Sequence, residues 1–132
     1  MKETSEQWLH AAEDDLRVVA RIASDEYLAH VVAFHSQQCI EKSLKAIIEE
    51  YELGHIRIHN LGRLFEIVRP KVTFDVDVVL VETLDKLYID ARYPGELGLL
   101  PNGKPTREDA QRFYRFAQSL YEQIRRMLEA AH

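Results

Sequence analysis

The chain has 132 residues, of which 46% are apolar and 30% charged; that suffices for one self-supporting hydrophobic core and excludes the low-apolar composition of a disordered chain. A formal net charge of -5 excludes the uniformly basic surface of a non-specific nucleic-acid binder. One cysteine, Cys39, excludes an internal disulfide, and no apolar run approaches a membrane span, so a reducing, cytoplasmic setting without membrane contact is expected.

The first helix is expected over residues 5–23, with Thr4 or Ser5 as its cap. Trp8, Ala11, Ala12, Val19 and Ile22 form its apolar stripe, and Asp15 falls in the middle of that stripe. A buried acid needs a cation, and Lys42, Lys45 and Arg92 are the candidates for a cross-helix ion pair. After a break at Ser24 and Asp25, a second helix runs to about Tyr51, with Gly54 as a left-handed stop.

This second helix is apolar on most sides yet carries Gln37, Gln38, Glu41, Lys42 and Lys45. At 100° per residue, Gln38, Glu41 and Lys45 share an arc of about 60° with Phe34 and Ile48 along the same stripe. Two readings stay open: a salt-bridge and hydrogen-bond network that orders helix packing, or a polar site inside a bundle. Cys39 lies on the apolar side and reads as a packing residue. His10, His30 and His35 read as packed or boundary histidines outside any site.

Residues 54–71 are locally basic through Arg57, Arg63, Arg69 and Lys71, with His55 and His59 among them. A solvated loop and short helix explains this stretch, and a phosphate-facing patch is its alternative. Asn60 is expected to cap a short third helix that runs through Val68 and stops at Pro70. Val76, Val79, Leu80, Thr83, Leu84, Leu87, Tyr88 and Ala91 mark a fourth helix that ends at Pro94 and Gly95. A proline- and glycine-rich loop follows to Pro105. Thr106 with Asp109 forms a capping-box pattern before a fifth helix, whose apolar face is Ala110, Phe113, Ala117, Leu120, Ile124 and Leu128. The whole, residues 1–132, reads as one all-α domain: an antiparallel up-and-down bundle of four long helices plus one short helix.

Trp8, the Ala-Glu-Asp-Asp-Leu stretch ending at Leu16, the Gln-Gln-x-x-Glu-Lys-x-x-Lys-Ala run from Gln37 and the Arg-Tyr-Pro motif at Arg92 together resemble the HEPN family of small helical proteins. The resemblance spans nearly the whole chain and implies the same bundle. It also implies a homodimer in which the Arg-containing helix ends lie near one another. Many members resemble metal-independent ribonucleases whose motif is an arginine followed four to six residues later by a histidine. The guanidinium holds the phosphate there, while the imidazole moves a proton. Here Arg92 is present, but the residues after it, Tyr93 to Gly98, include no histidine, and Glu96 is a poor substitute beside phosphates.

Compact members of this type resemble the substrate-binding helical domain of aminoglycoside nucleotidyltransferases and are often paired with a minimal nucleotidyltransferase. The resemblance therefore implies a nucleotide- or RNA-associated module in a toxin-antitoxin-like pair. Arg92, Lys42 and Lys45 would supply positive charge toward phosphates, Tyr93 or Tyr88 would stack on a base, and Gln38 would belong to the same nucleotide-binding set. Asp15 and Glu41 would form the structural polar network. A ribonuclease with a base from His55, His59 or a partner subunit is one alternative, and a purely structural interaction module is another. No cofactor and no metal is implied. Glycine-rich phosphate loops are absent, and the two Glu-x-x-His spacings, Glu52 to His55 and Glu129 to His132, sit at a glycine break and at the chain end.

Overall fold

In the computed structural model, residues 1–92 and 105–131 are described, backbone only at 91 and 92. Every regular element among them is helical: α1 (Glu3–Ile22), a 3-10 turn (Glu26–Leu28), α2 (Ala29–Glu50), α3 (Leu61–Val68), α4 (Val78–Arg92) and α5 (Arg107–Ala130). Tyr93, Glu96, His132 and the loop after Pro94, up to residue 104, lie outside the described residues.

The long helices alternate in direction. Ser5 meets Glu50 and Asp15 meets His35, so α1 and α2 form an antiparallel hairpin. Glu6 and Glu13 bond Arg125 and Tyr121, which sets α5 antiparallel to α1. Tyr88 stacks on Phe34, with Asp85 one turn earlier at the start of α3. Leu9, Ala12, Ile40, Leu44, Ile47, Leu61, Leu84, Phe113, Leu120 and Ile124 fill one core; two expected faces are corrected, since Leu9 is buried in α1 where Trp8 and Ala11 are only partly so, and Val79 and Thr83 of the α4 pattern are exposed. Helix α2 packs against each of the other four helices, which is why its sequence is apolar on most sides.

Two helix starts follow the local pattern. Asn60 Oδ1 accepts from Arg63 N at 2.9 Å, and Thr106 and Asp109 form both bonds of a capping box. The start of α1 does not: the helix begins at Glu3, and neither Thr4 nor Ser5 caps it. Instead Glu50, at the far end of α2, accepts from the Lys2 amide at 2.8 Å and from the Ser5 hydroxyl at 2.9 Å. A carboxylate is favoured there because the first amides of a helix carry partial positive charge.

The end of α2 also differs from expectation. The left-handed residue is Glu52, with φ 52°, and Gly54 lies two residues further on with φ 126°. Leu53 N donates to Ile48 O and Glu52 N to Glu49 O, the paired bonds of a Schellman stop. Leu53 packs partly buried against the core, and that contact fixes the stop ahead of the glycine.

Candidate functional site

Only one narrow strip of α2 reaches solvent. Phe34, His35, Gln38 and Lys42 are half-buried along it, while the residues between them are buried against other helices. On one side of the strip stands α1 with Asp15; on the other stand Tyr88 of α4 and His59 of the segment before α3.

Two carboxylates organise the strip. Asp15 is buried; its Oδ1 lies 2.8 Å from His35 Nδ1, and its Oδ2 accepts from Lys42 Nζ at 2.7 Å. Glu41 is buried as well; its Oε2 accepts from Lys45 Nζ at 2.9 Å and lies 3.1 Å from His59 Nδ1. Each acid thus holds one lysine and one histidine. The lysine matches the buried charge, and the histidine keeps its second ring nitrogen clear of that acid. Gln37 donates to His59 O at 2.8 Å and to Glu41 Oε1 at 3.2 Å, and Gln38 donates to Gln37 Oε1 at 2.8 Å. A longer contact of 3.4 Å joins Gln38 to Glu41.

The expected Asp15–Lys42 ion pair is present, whereas Lys45 turns to Glu41 and sits 5.4 Å from the centre of the Trp8 ring. Lys45 is buried and held from both sides. Lys42 and Gln38 stay partly open. Arg92 is the last residue of α4, about one turn beyond Tyr88 along the helix; its side chain and Tyr93 lie outside what is described. Tyr88 is 7% exposed and stacks on Phe34 with ring centres 5.6 Å apart, so that face is already occupied. His55 and Arg57 are exposed in the segment before α3. Arg69 pairs with Glu66, and Lys71 lies over the Tyr51 ring.

His35 is the residue sequence reasoning left out. It stands seven positions before Lys42, two turns along the same helix face, so both point at the acid in the middle of the α1 stripe. That spacing was the available signal. Cys39 is buried near Asp15, and burial first, with the nearby carboxylate second, pushes its thiol up to about 12. This thiol is no nucleophile near neutral pH. No cluster of three or more metal-ligating side chains exists among the described residues. No helix there is long and apolar enough to cross a membrane.

The HEPN domain family model matches residues 5–127. Two solved structures are similar in fold. The crystal structure of ST0689, an archaeal HEPN homologue, is 24% identical, with a TM-score of 0.69 and coverage of 96% of this chain and 98% of that one. TT1696 from Thermus thermophilus is 20% identical, with a TM-score of 0.66 over 95% and 98%. No curated protein matches the chain.

Proposed function

Because the chain belongs to the HEPN domain family, we propose that it is a nucleotide- or RNA-associated module that works with a minimal nucleotidyltransferase in a toxin-antitoxin-like pair, as a homodimer. The observation that supports this reading is the half-open strip of α2, where hydrogen-bond donors of Gln38 and Lys42 stand beside two carboxylate-held histidines. The chain position of Arg92, about one turn past Tyr88, brings a further cation to the same end of α4. A phosphate arriving there would compete with Asp15 for the Lys42 ammonium, which already makes a charge-assisted contact of 2.7 Å to that carboxylate. With a net charge of -5, affinity has to come from this local geometry rather than from the field of the whole protein.

The test is a titration of ATP and of a short RNA oligonucleotide into the wild type, Gln38→Ala and Arg92→Ala, each with and without the co-expressed nucleotidyltransferase. Binding about 10-fold weaker in both variants is expected. Equal binding by all three proteins would remove the strip as the site.

A second reading is favoured by His59: Glu41 holds its Nδ1 and leaves Nε2 clear of that acid, which is what a general base in a metal-independent ribonuclease would require. Metal-free RNA cleavage that disappears in both Arg92→Ala and His59→Ala would replace the first reading with this one. A large stability loss in the same variants without any change in ligand binding would instead mark the network as purely structural.

A further inference from the structure

Between the stop of α2 and the start of α3 the chain has no regular structure, yet its burial alternates: His55, Arg57 and His59 are exposed, while Ile56 and Ile58 are partly buried against the core. A period of two is that of extended backbone, so the three polar side chains share one edge at steps of about 6.6 Å. Both ends of the edge are fixed. Gly54, at φ 126°, opens it, and a Cβ there would stand 3.3 Å from Ile56 Cδ1, so the glycine lets Ile56 fold in closely. At the other end Gln37 donates to His59 O at 2.8 Å, and Glu41 holds the His59 ring beside Tyr88. His59 therefore belongs both to this edge and to the α2 strip. Arg57 has no salt-bridge partner among the described residues, and the nearest acids on either side in sequence are engaged, Glu52 with Lys2 and Glu66 with Arg69.

We propose that residues 55–59 form a track for an unpaired RNA strand that leads into the α2 strip, so that the strip takes one part of a strand and not a lone nucleotide. This rests on the reading above and names its ligand. Ring, cation, ring along one edge matches what a single strand offers: unstacked bases pack on the His55 and His59 imidazoles, and the Arg57 guanidinium takes the phosphate oxygens between them two at a time. The step between outward side chains is close to the repeat of an extended strand. A duplex keeps its bases stacked and gives the rings nothing to hold, and an acidic peptide would be matched by a cation at every outward position, where two of the three are rings. The start of α3 does not compete for phosphate, because its first amides already serve Asp85 and Asn60. The stretch from 54 to 71 sets Arg57, Arg63, Arg69 and Lys71 against Glu66 alone, which reverses the sign of the whole chain locally.

Fluorescence anisotropy with labelled 2′-O-methyl oligouridylates, which cannot be cleaved through the 2′-hydroxyl, tests this with the full chain in a length series from dinucleotide to octanucleotide. Wild-type affinity should rise with length. Arg57→Ala should bind the octanucleotide about 10-fold more weakly, with a salt slope smaller by about 0.7, as the loss of one phosphate contact requires, while its ATP affinity stays that of wild type. His55→Ala should weaken the octanucleotide at least about 5-fold through lost stacking. Circular dichroism should report unchanged folding in both variants, because both positions are exposed. A wild type that binds ATP but gains nothing with length, or an Arg57→Ala protein that holds the octanucleotide as wild type does, overturns the track and leaves the strip reading standing. Length-dependent binding that needs Arg57 but is untouched by Gln38→Ala and Arg92→Ala supports the track and removes the strip. A duplex of the same length, or an oligoglutamate, bound as tightly as the octanucleotide overturns the choice of an unpaired strand and with it the proposal.

Discussion

Glu41 accepts from or lies against Lys45, His59, Gln37 and Gln38, and it does so with almost no access to water. Its charge is tolerable only because Lys45 sits against it, so removing the lysine should cost far more than removing the pair. Lys45→Met is expected to destabilise the fold by about 3 kcal/mol, and Glu41→Gln in that background should restore most of the loss, read as urea midpoints at constant slope. The need for an ion pair at Asp15 was legible in the sequence, since an acid in an apolar stripe has few ways to be stable. Its histidine partner was not, because a histidine on a packed helix carries no mark of which neighbour it faces.

Asp85 makes a different prediction at the same scale. Burial raises its carboxyl above the ordinary range, against the lowering effect of the Leu61 and Gly62 amides that it accepts. The folded protein therefore holds this proton more tightly than the unfolded chain. The contribution to stability is full below the ordinary carboxylate range and declines as pH rises through the raised value. Glu13, lowered first by its bond from Tyr121, and Asp109, lowered first by the Thr106 amide, act in the opposite sense and lose their contribution as pH falls. In Asp85→Asn the declining contribution is gone. The stability advantage of wild type over this variant should shrink as pH is raised from roughly 4 to 7, as denaturant titrations at each pH would show. An advantage that grows over that range would refute the assignment.

At the scale of elements, helix ends separate what a sequence shows from what it hides. Asn60 and the Thr106–Asp109 box were legible because cap and amide are three residues apart. The acids serving the amides of Lys2, Leu61 and Gly62 were not, because Glu50 and Asp85 reach them from 48 and 24 residues away in the first two cases. The stop of α2 shows the same limit: a glycine was available at 54, yet the chain turns at Glu52. Glu52 occupies a conformation that costs a residue with a Cβ about 1 kcal/mol, and its exposed contact with Lys2 offsets little of it. Glu52→Gly should therefore raise the thermal midpoint by roughly 2–4 °C in calorimetry.

For the molecule as a whole, helical periodicity and loop placement sufficed to give the bundle; of the candidate site residues the fold groups Asp15 with Lys42 and Gln38 with Glu41 and Lys45, and Tyr93 lies outside the described residues. Periodicity assigns a face to each helix and says nothing about which two helices flank the remaining open strip. That strip depended on α1 and α4 standing on either side of α2.

The position of α2 against every other helix has a consequence for how the protein opens. Because α2 packs against all of the other helices, detachment of any one of them leaves its central amides covered by the rest. In native-state hydrogen exchange, residues 40–48 should exchange only through global unfolding, while the amides of α4, which packs chiefly on α2 and α3, should exchange through a cheaper partial opening. Equal protection in the two helices would contradict this. A protein built around such a hub can loosen its fourth helix, and with it one wall of the strip, while its central helix stays protected by α1 and α5.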